Sequence, residues 1–110
     1  MSISVALTVA QGKRIIAKGV VAARIYQQAY SGGSVLLIKG TTNAYIVEEI
    51  IGTSIDKLSF ARGLTLPRGV PRRRPEGVPL GDVLIDQGRV DLHADIAEVV
   101  DGLGPSDLII

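Results

Sequence analysis

The spacing of apolar and polar residues changes along the chain, and each change predicts an element. Thr8 followed by Gln11 three residues later forms a capping-box pattern, in which hydroxyl and amide satisfy the orphan N–H groups of a helix start. Beyond it Ile16, Val20, Ala23 and Tyr30 fall on one face, flanked by Ile15, Ala22, Tyr26 and Ala29, with Lys13, Arg14, Lys18, Arg24 and Gln28 mainly elsewhere. A 3.6-residue period kept this far predicts one amphipathic helix of about six turns, closed by Ser31-Gly32-Gly33 in the left-handed position glycine favours. The period then gives way to an unbroken aliphatic run, Val35-Leu36-Leu37-Ile38, the mark of a strand covered on both faces, as in parallel sheets. Lys39-Gly40-Thr41-Thr42-Asn43 predicts a tight turn, and Ala44 to Ile51 a second helix that Gly52 ends.

Weaker signals surround this unit. Ile3 to Leu7 alternate enough for a short strand or an extended lead-in, and Ile55, Leu58 and Phe60 suit a short turn and strand or a loop packed on the core. Pro67, Pro71, Pro75 and Pro79 recur every four residues; proline lacks an amide hydrogen and forces its predecessor out of helical geometry, so an extended arm is expected over 67–81. Asp82 to Asp86 reads as a second apolar strand ending at Gln87-Gly88. A third helix fits Asp95 to Val100, with Asp91 or Asp95 as cap and Gly102 as stop. Asp107-Leu108-Ile109-Ile110 predicts a last strand, since its large apolar groups need a sheet to take them out of water. The order helix, strand, helix, arm, strand, helix, strand predicts one α/β domain over 1–110. Its expected form is three-layered, a mostly parallel sheet with flanking helices, in a small or partial Rossmann-like arrangement.

Composition narrows the chemistry. With 46% hydrophobic residues but only Phe60, Tyr26, Tyr30 and Tyr45 as aromatics, the core must be mainly aliphatic. The absence of cysteine removes disulfides, thiol nucleophiles and cysteine-based metal sites, and one histidine cannot build a multi-histidine site, so neither metal nor cofactor is expected. No apolar run reaches the roughly 18 residues of a membrane span, and no signal-peptide pattern opens the chain. A cytoplasmic protein without membrane contact is expected. The formal charge is +1, but Arg68, Arg72, Arg73 and Arg74 fall within the proline arm beside a single glutamate, so the basicity is local.

Candidate chemistry centres on the turn after the first strand. A helix starting at the carboxyl end of a buried strand presents free N–H groups and the positive end of its dipole, which favour an anion. Lys39, Gly40, Thr41, Thr42 and Asn43 are the candidate ligands, the purely structural reading being a tight turn with a threonine or Asn43 as helix cap. Asp86, at a strand's carboxyl end, is the candidate general base, with a turn cap as its plain alternative. Glu48 and Glu49 point about 100° apart on a helix and read as a solvated face, not an acid-base pair. His93 reads as a surface or capping residue. Arg68, Arg72, Arg73 and Arg74 suit contact with another subunit; without interleaved aromatics, nucleic acid is the less favoured partner.

The capped first helix leading into Val35-Leu36-Leu37-Ile38, then Gly40-Thr41-Thr42 and a helix with Glu48-Glu49, resembles the opening of the ribose-5-phosphate isomerase, glucosamine-6-phosphate deaminase and CoA-transferase superfamily. The resemblance implies a substrate phosphate held by Gly40, Thr41 and Thr42, and places Asp86 as the first acid of the isomerases' acidic loop. Ile38 and Lys39 stand where that superfamily has Gly-Thr, and Gln87-Gly88-Arg89 interrupts the further acids. The expected ligand is therefore an anionic small molecule, a phosphosugar, nucleotide or CoA-like group, bound by a homo-oligomer. The alternative is a non-enzymatic structural or regulatory subunit that assembles through the arm and the C-terminal strand.

Overall fold

The computed structural model describes residues 2, 4–57, 59, 60 and 80–110. The arginines of the predicted arm, Arg68, Arg72, Arg73 and Arg74, lie outside the described residues, as does Leu58. Helices α1 (Val9–Ala22) and α2 (Arg24–Gly32) lead into strand β1 (Ser34–Leu37) and helix α3 (Thr41–Ile51). Strands β2 (Asp82–Asp86) and β3 (Arg89–Ala94) follow, then a short helix α4 (Ile96–Val99), a 3-10 turn (Val100–Gly102) and strand β4 (Leu108–Ile109). Residues 4–7 are exposed and form no strand.

Helices and one four-stranded sheet make this an α/β fold, in the strand order β3-β2-β1-β4. The sheet is mixed and not mostly parallel: β1 is parallel to β4 alone, while β1–β2 and β2–β3 are antiparallel. The reason lies in where the chain re-enters the sheet. Asp82 starts β2 beside Lys39, at the end where β1 finishes, so β2 must run back along β1, with Val35 opposite Ile85 and Leu37 opposite Val83. The predicted last strand does find its sheet, with Leu108 against Val35 and Ile109 against Leu36. The pairing extends through Ile110, whose carbonyl accepts the Ile38 N–H at 2.9 Å.

The reversal from β2 to β3 is a two-residue hairpin in which both central residues have positive φ, 48° at Gln87 and 81° at Gly88. That pair defines the type I′ turn, whose twist matches the flanking strands. Strand β3 is an element beyond those expected, although Arg89-Val90-Asp91-Leu92-His93-Ala94 alternates with period two. His93 accordingly sits in a strand, exposed, and not at a helix start. The helix expected at 95–100 forms its α-turn over Ile96–Val99, with the Asp95 carboxylate accepting the Ala97 N–H at 2.9 Å.

The core lies between the helices and one sheet face. Val35, Leu37, Val83 and Ile85 meet Ala17, Tyr26, Ala29, Ala44, Ile46, Val47 and Phe60 there, all buried. Leu36 and its register partner Leu84 turn to the opposite face, where Leu36 is also buried.

The single long helix predicted from the capping box is in fact two. The box itself forms, Thr8 Oγ1 accepting from Gln11 N–H at 3.1 Å and Gln11 Oε1 from Thr8 N–H at 2.9 Å. At Ala23, however, the backbone turns extended (φ −69°, ψ 139°), so that α1 packs along α3 while α2 packs on β1 and β4. No proline or glycine marks the break; the two halves simply have different partners. The predicted apolar face is accordingly wrong on α1. Ala17 is buried and Val20 and Val21 are partly so, whereas Ile15 and Ile16 are 55% and 53% exposed. Gly52 ends α3 in the left-handed conformation (φ 74°), as expected. Gly33 follows α2 for another reason: its φ of −149° suits any residue, but a Cβ there would lie 2.5 Å from the Ser106 carbonyl oxygen.

Candidate functional site

The N-terminus of α3 is left open by its own sequence. Gly40, the residue before the helix, has no side chain with which to cap it, and the first helical bond runs from Ala44 N–H to the Gly40 carbonyl. The N–H groups of Thr41, Thr42 and Asn43 precede that bond and have no partner within the helix, as at any helix start. Gly40 has φ 177° and ψ 154°, an extended conformation that strains no residue.

One side chain from a distant segment reaches this start. Lys13, on α1, donates from Nζ to Thr41 Oγ1 at 2.9 Å. The Thr41 hydroxyl accepts that bond and keeps its own proton to donate, so an anion at the helix start would meet an ammonium-polarised hydroxyl. Lys39 is half-buried beside Gly40. Among the described residues neither lysine has a carboxylate within ion-pair distance, whereas Arg14, Lys18 and Lys57 are all paired. Lys13 is not among the expected ligands, since nothing in local spacing ties it to a threonine 28 residues further on.

Other predicted residues take structural places. Asn43 spends both amide hydrogens on backbone carbonyls, Ile38 at 2.8 Å and Ile110 at 3.0 Å, and so ties α3 to the ends of β1 and β4. Asp86 lies at the opposite end of the sheet from Gly40, because β2 runs antiparallel to β1, and there it accepts from the Ser34 hydroxyl at 3.1 Å. The candidate base and the candidate anion turn are therefore not one site.

The acid that does stand near the turn is Asp82, buried at the start of β2. Its Oδ1 accepts the Lys39 N–H at 2.9 Å and its Oδ2 the Ile96 N–H at 3.0 Å, clamping the end of β1 to the start of α4. Asp82→Ala strands both donors, and hydrogen bonds to a charged acceptor contribute about 1.5–3 kcal/mol each. Urea unfolding is expected to show a loss of about 3 kcal/mol for this variant, more than surface substitutions, which stay within about 0.5 kcal/mol.

Glu48 and Glu49 do not form the solvated face expected of them. Glu48 is 6% exposed. It accepts from Arg14 Nη2 at 2.6 Å, Lys57 Nζ at 2.9 Å and the Ile55 N–H at 2.9 Å. Burial is the strongest single influence on this carboxyl and favours the neutral form. The Lys57 ammonium, the Ile55 N–H and the Arg14 guanidinium together outweigh it and hold Glu48 below the usual carboxylate range. Glu49 takes Arg14 Nη1 at 3.0 Å and Lys18 Nζ at 3.6 Å. Both cations that serve Glu48 also lie over the Tyr45 ring, Arg14 at 4.8 Å and Lys57 at 4.9 Å from its centroid. This cluster joins α1 to α3 and sets Lys13 against Thr41. Arg14, Glu48 and Glu49, with Gly52, Thr53 and Ser54, line an open cleft on this side of the molecule.

Among the described residues no cluster of three or more His, Asp or Glu side chains is placed to hold a metal ion. Among them, too, no helix is long and apolar enough to cross a membrane. No protein-family model, no curated protein and no solved structure matches this chain.

Proposed function

We propose that this chain binds a phosphate-bearing or other anionic small molecule at the N-terminus of α3. Gly40, Thr41 and Thr42 would supply N–H and hydroxyl donors, and Lys13 with Lys39 the positive charge. One observation carries the reading: a helix start with no side-chain cap receives, from another helix, an ammonium group that no carboxylate among the described residues neutralises. Helix dipole, free N–H groups and ammonium favour the same ligand charge. The resemblance of Val35 to Thr42 to the phosphosugar-isomerase superfamily supports a phosphosugar, nucleotide or CoA-like ligand. The reading is one of binding. Asp86, at the far end of the sheet, is not placed to move a proton on a ligand held at Gly40.

Thermal melting against inorganic phosphate, sugar phosphates, nucleotides and coenzyme A tests it. A ligand at a hundred times its Kd is expected to stabilise the native state by about 2.7 kcal/mol. Lys13→Met removes the ammonium and keeps the apolar stem. Gly40→Ala is tolerated by the fold, since the added Cβ meets only the Ile38 carbonyl oxygen, at 4.0 Å, yet it obstructs a ligand drawn up to the backbone. Both variants are expected to melt like the parent without ligand and to lose most of the ligand-induced shift. Silence across the panel, or a shift that both variants retain, overturns the reading.

A further inference from the structure

Helix α1 is amphipathic in the reverse of the usual sense. Its cations are turned toward α3, where Lys13 meets Thr41, Arg14 meets Glu48 and Glu49, and Lys18 meets Glu49. Its outward side carries Thr8, Val9, Gly12, Ile15, Ile16, Gly19 and Ala22 and no charged group. Val9 is 76% exposed, and Ile15 and Ile16 are each more than half exposed. At Gly12 and Gly19 an added Cβ would meet nothing within 4 Å.

We infer that this face pairs with the same face of a second copy of the chain, the two α1 helices lying antiparallel across a two-fold axis between Ile15 and Ile16. The pattern itself selects this occupant. A symmetric contact must be complementary to itself, so that each residue and its counterpart sit at equal distances on either side of the axis. Gly12 and Gly19 do so about Ile15-Ile16, and further out Val9 is matched by Ala22. Gly12, Ile15, Ile16 and Gly19 are spaced i, i+3, i+4 and i+7, the four positions that form one hole in knobs-into-holes packing. With glycine at both ends of that hole, an isoleucine from the opposing helix can enter deeply and the axes can close to about 8 Å.

Charge and area agree. The residues of this face carry no charge, so two copies brought together on it oppose no like charges there; Lys18, at its margin, is 65% exposed and contacts Glu49 at 3.6 Å. A membrane surface would instead call for lysine or arginine flanking the apolar stripe and facing outward. One face of a helix of about four turns is small beside the roughly 800 Å² that a standard interface takes from each partner, which suits a reversible dimer and not an obligate one.

Sedimentation velocity across a concentration series up to the sub-millimolar range tests the pairing. The parent chain is expected to approach twice its 11.6 kDa mass. Ile16→Glu is expected to remain monomeric with unchanged circular dichroism. Gly19→Leu gives a second test independent of folding: it strengthens the isolated helix by propensity while filling the hole, so at concentrations where the parent is monomeric its melting should rise, and the dimer should be lost. The chain lacks cysteine, so engineered thiols report orientation. Val9→Cys with Ala22→Cys should cross-link readily, and Val9→Cys alone should not. A parent that stays monomeric, a dimer that survives Ile16→Glu or Gly19→Leu, or efficient cross-linking through Val9→Cys alone overturns the inference.

Discussion

Gly33→Ala is expected to destabilise the protein by about 3 kcal/mol, the scale of severe overpacking and a large part of the 5–15 kcal/mol that separates folded from unfolded domains. The new Cβ would lie 2.5 Å from the Ser106 carbonyl oxygen and 2.7 Å from Asp107 Oδ1. Neither neighbour can give way cheaply. The Ser106 oxygen is backbone, and the Asp107 carboxylate is held by the Gly104 N–H and the Ser34 N–H, each at 2.7 Å. Those two donors, Gly104 first, keep the Asp107 carboxyl below the usual range. The clash must therefore push β4 away from β1, against the short pairing of Val35 with Leu108 and Leu36 with Ile109 and the bonds that Ile110 makes to Leu36 and Ile38. Gly32→Ala is the control. It adds the same atom one residue earlier, where nothing lies within 4 Å. Urea unfolding should show a lower midpoint at an unchanged slope for Gly33→Ala, and a midpoint no lower than the parent's for Gly32→Ala. Equal behaviour of the two variants would mean that the approach of β4 to Gly33 does not hold in solution.

The elements that were legible in the sequence are those whose signals are local. The run from Val35 forms a strand, Ser34–Leu37, whichever way its neighbours run, because consecutive aliphatics need cover on both faces, and Leu36 and Leu37 both find it. The capping box at Thr8, the stop at Gly52, the cap at Asp95 and the pairing of Leu108 and Ile109 likewise depend on a few adjacent residues. What escaped depends on distant partners. Strand direction is not written in a hydrophobic run, so a mixed sheet and a parallel one look alike until Asp82 is seen to enter beside Lys39. The Gln87-Gly88 turn was obscured because its first positive-φ position is filled by glutamine, where asparagine or glycine would have announced a hairpin. Ala23 breaks a helix whose sequence continues without interruption, because α1 and α2 answer to different surfaces. Of the candidate site, the Gly40-Thr41-Thr42 turn was legible from a strand followed by a helix. Lys13 was not, and the wrong strand direction carried Asp86 into a site from which the fold removes it.

Glu48→Ala is expected to cost about 2 kcal/mol, less than the roughly 3–5 kcal/mol that breaking a fully buried ion pair costs. The discount follows from the partners. Arg14 and Lys57 are each about one-third exposed and can turn to water once the carboxylate is gone, whereas the Ile55 N–H loses its acceptor in a half-buried turn. Glu49→Ala removes a less buried carboxylate and leaves Arg14 its bond to Glu48, so its cost should stay under about 1 kcal/mol. Acid separates charge from shape. Because the native state holds Glu48 below the usual carboxylate range, its contribution is fully present above the ordinary glutamate pKa and disappears as pH falls through the lowered native value. Glu48→Gln keeps the volume and cannot titrate, so the parent's stability should fall more steeply on acidification than this variant's, and the gap between them should narrow as pH drops. Parallel pH profiles would overturn the role assigned to the carboxylate. The same variant bears on ligand binding, since Arg14 is the neighbour of Lys13 on α1. If Glu48 holds that helix against α3, its loss should weaken the phosphate-induced melting shift while Glu49→Ala leaves it intact, although neither glutamate touches the helix start where the anion would sit.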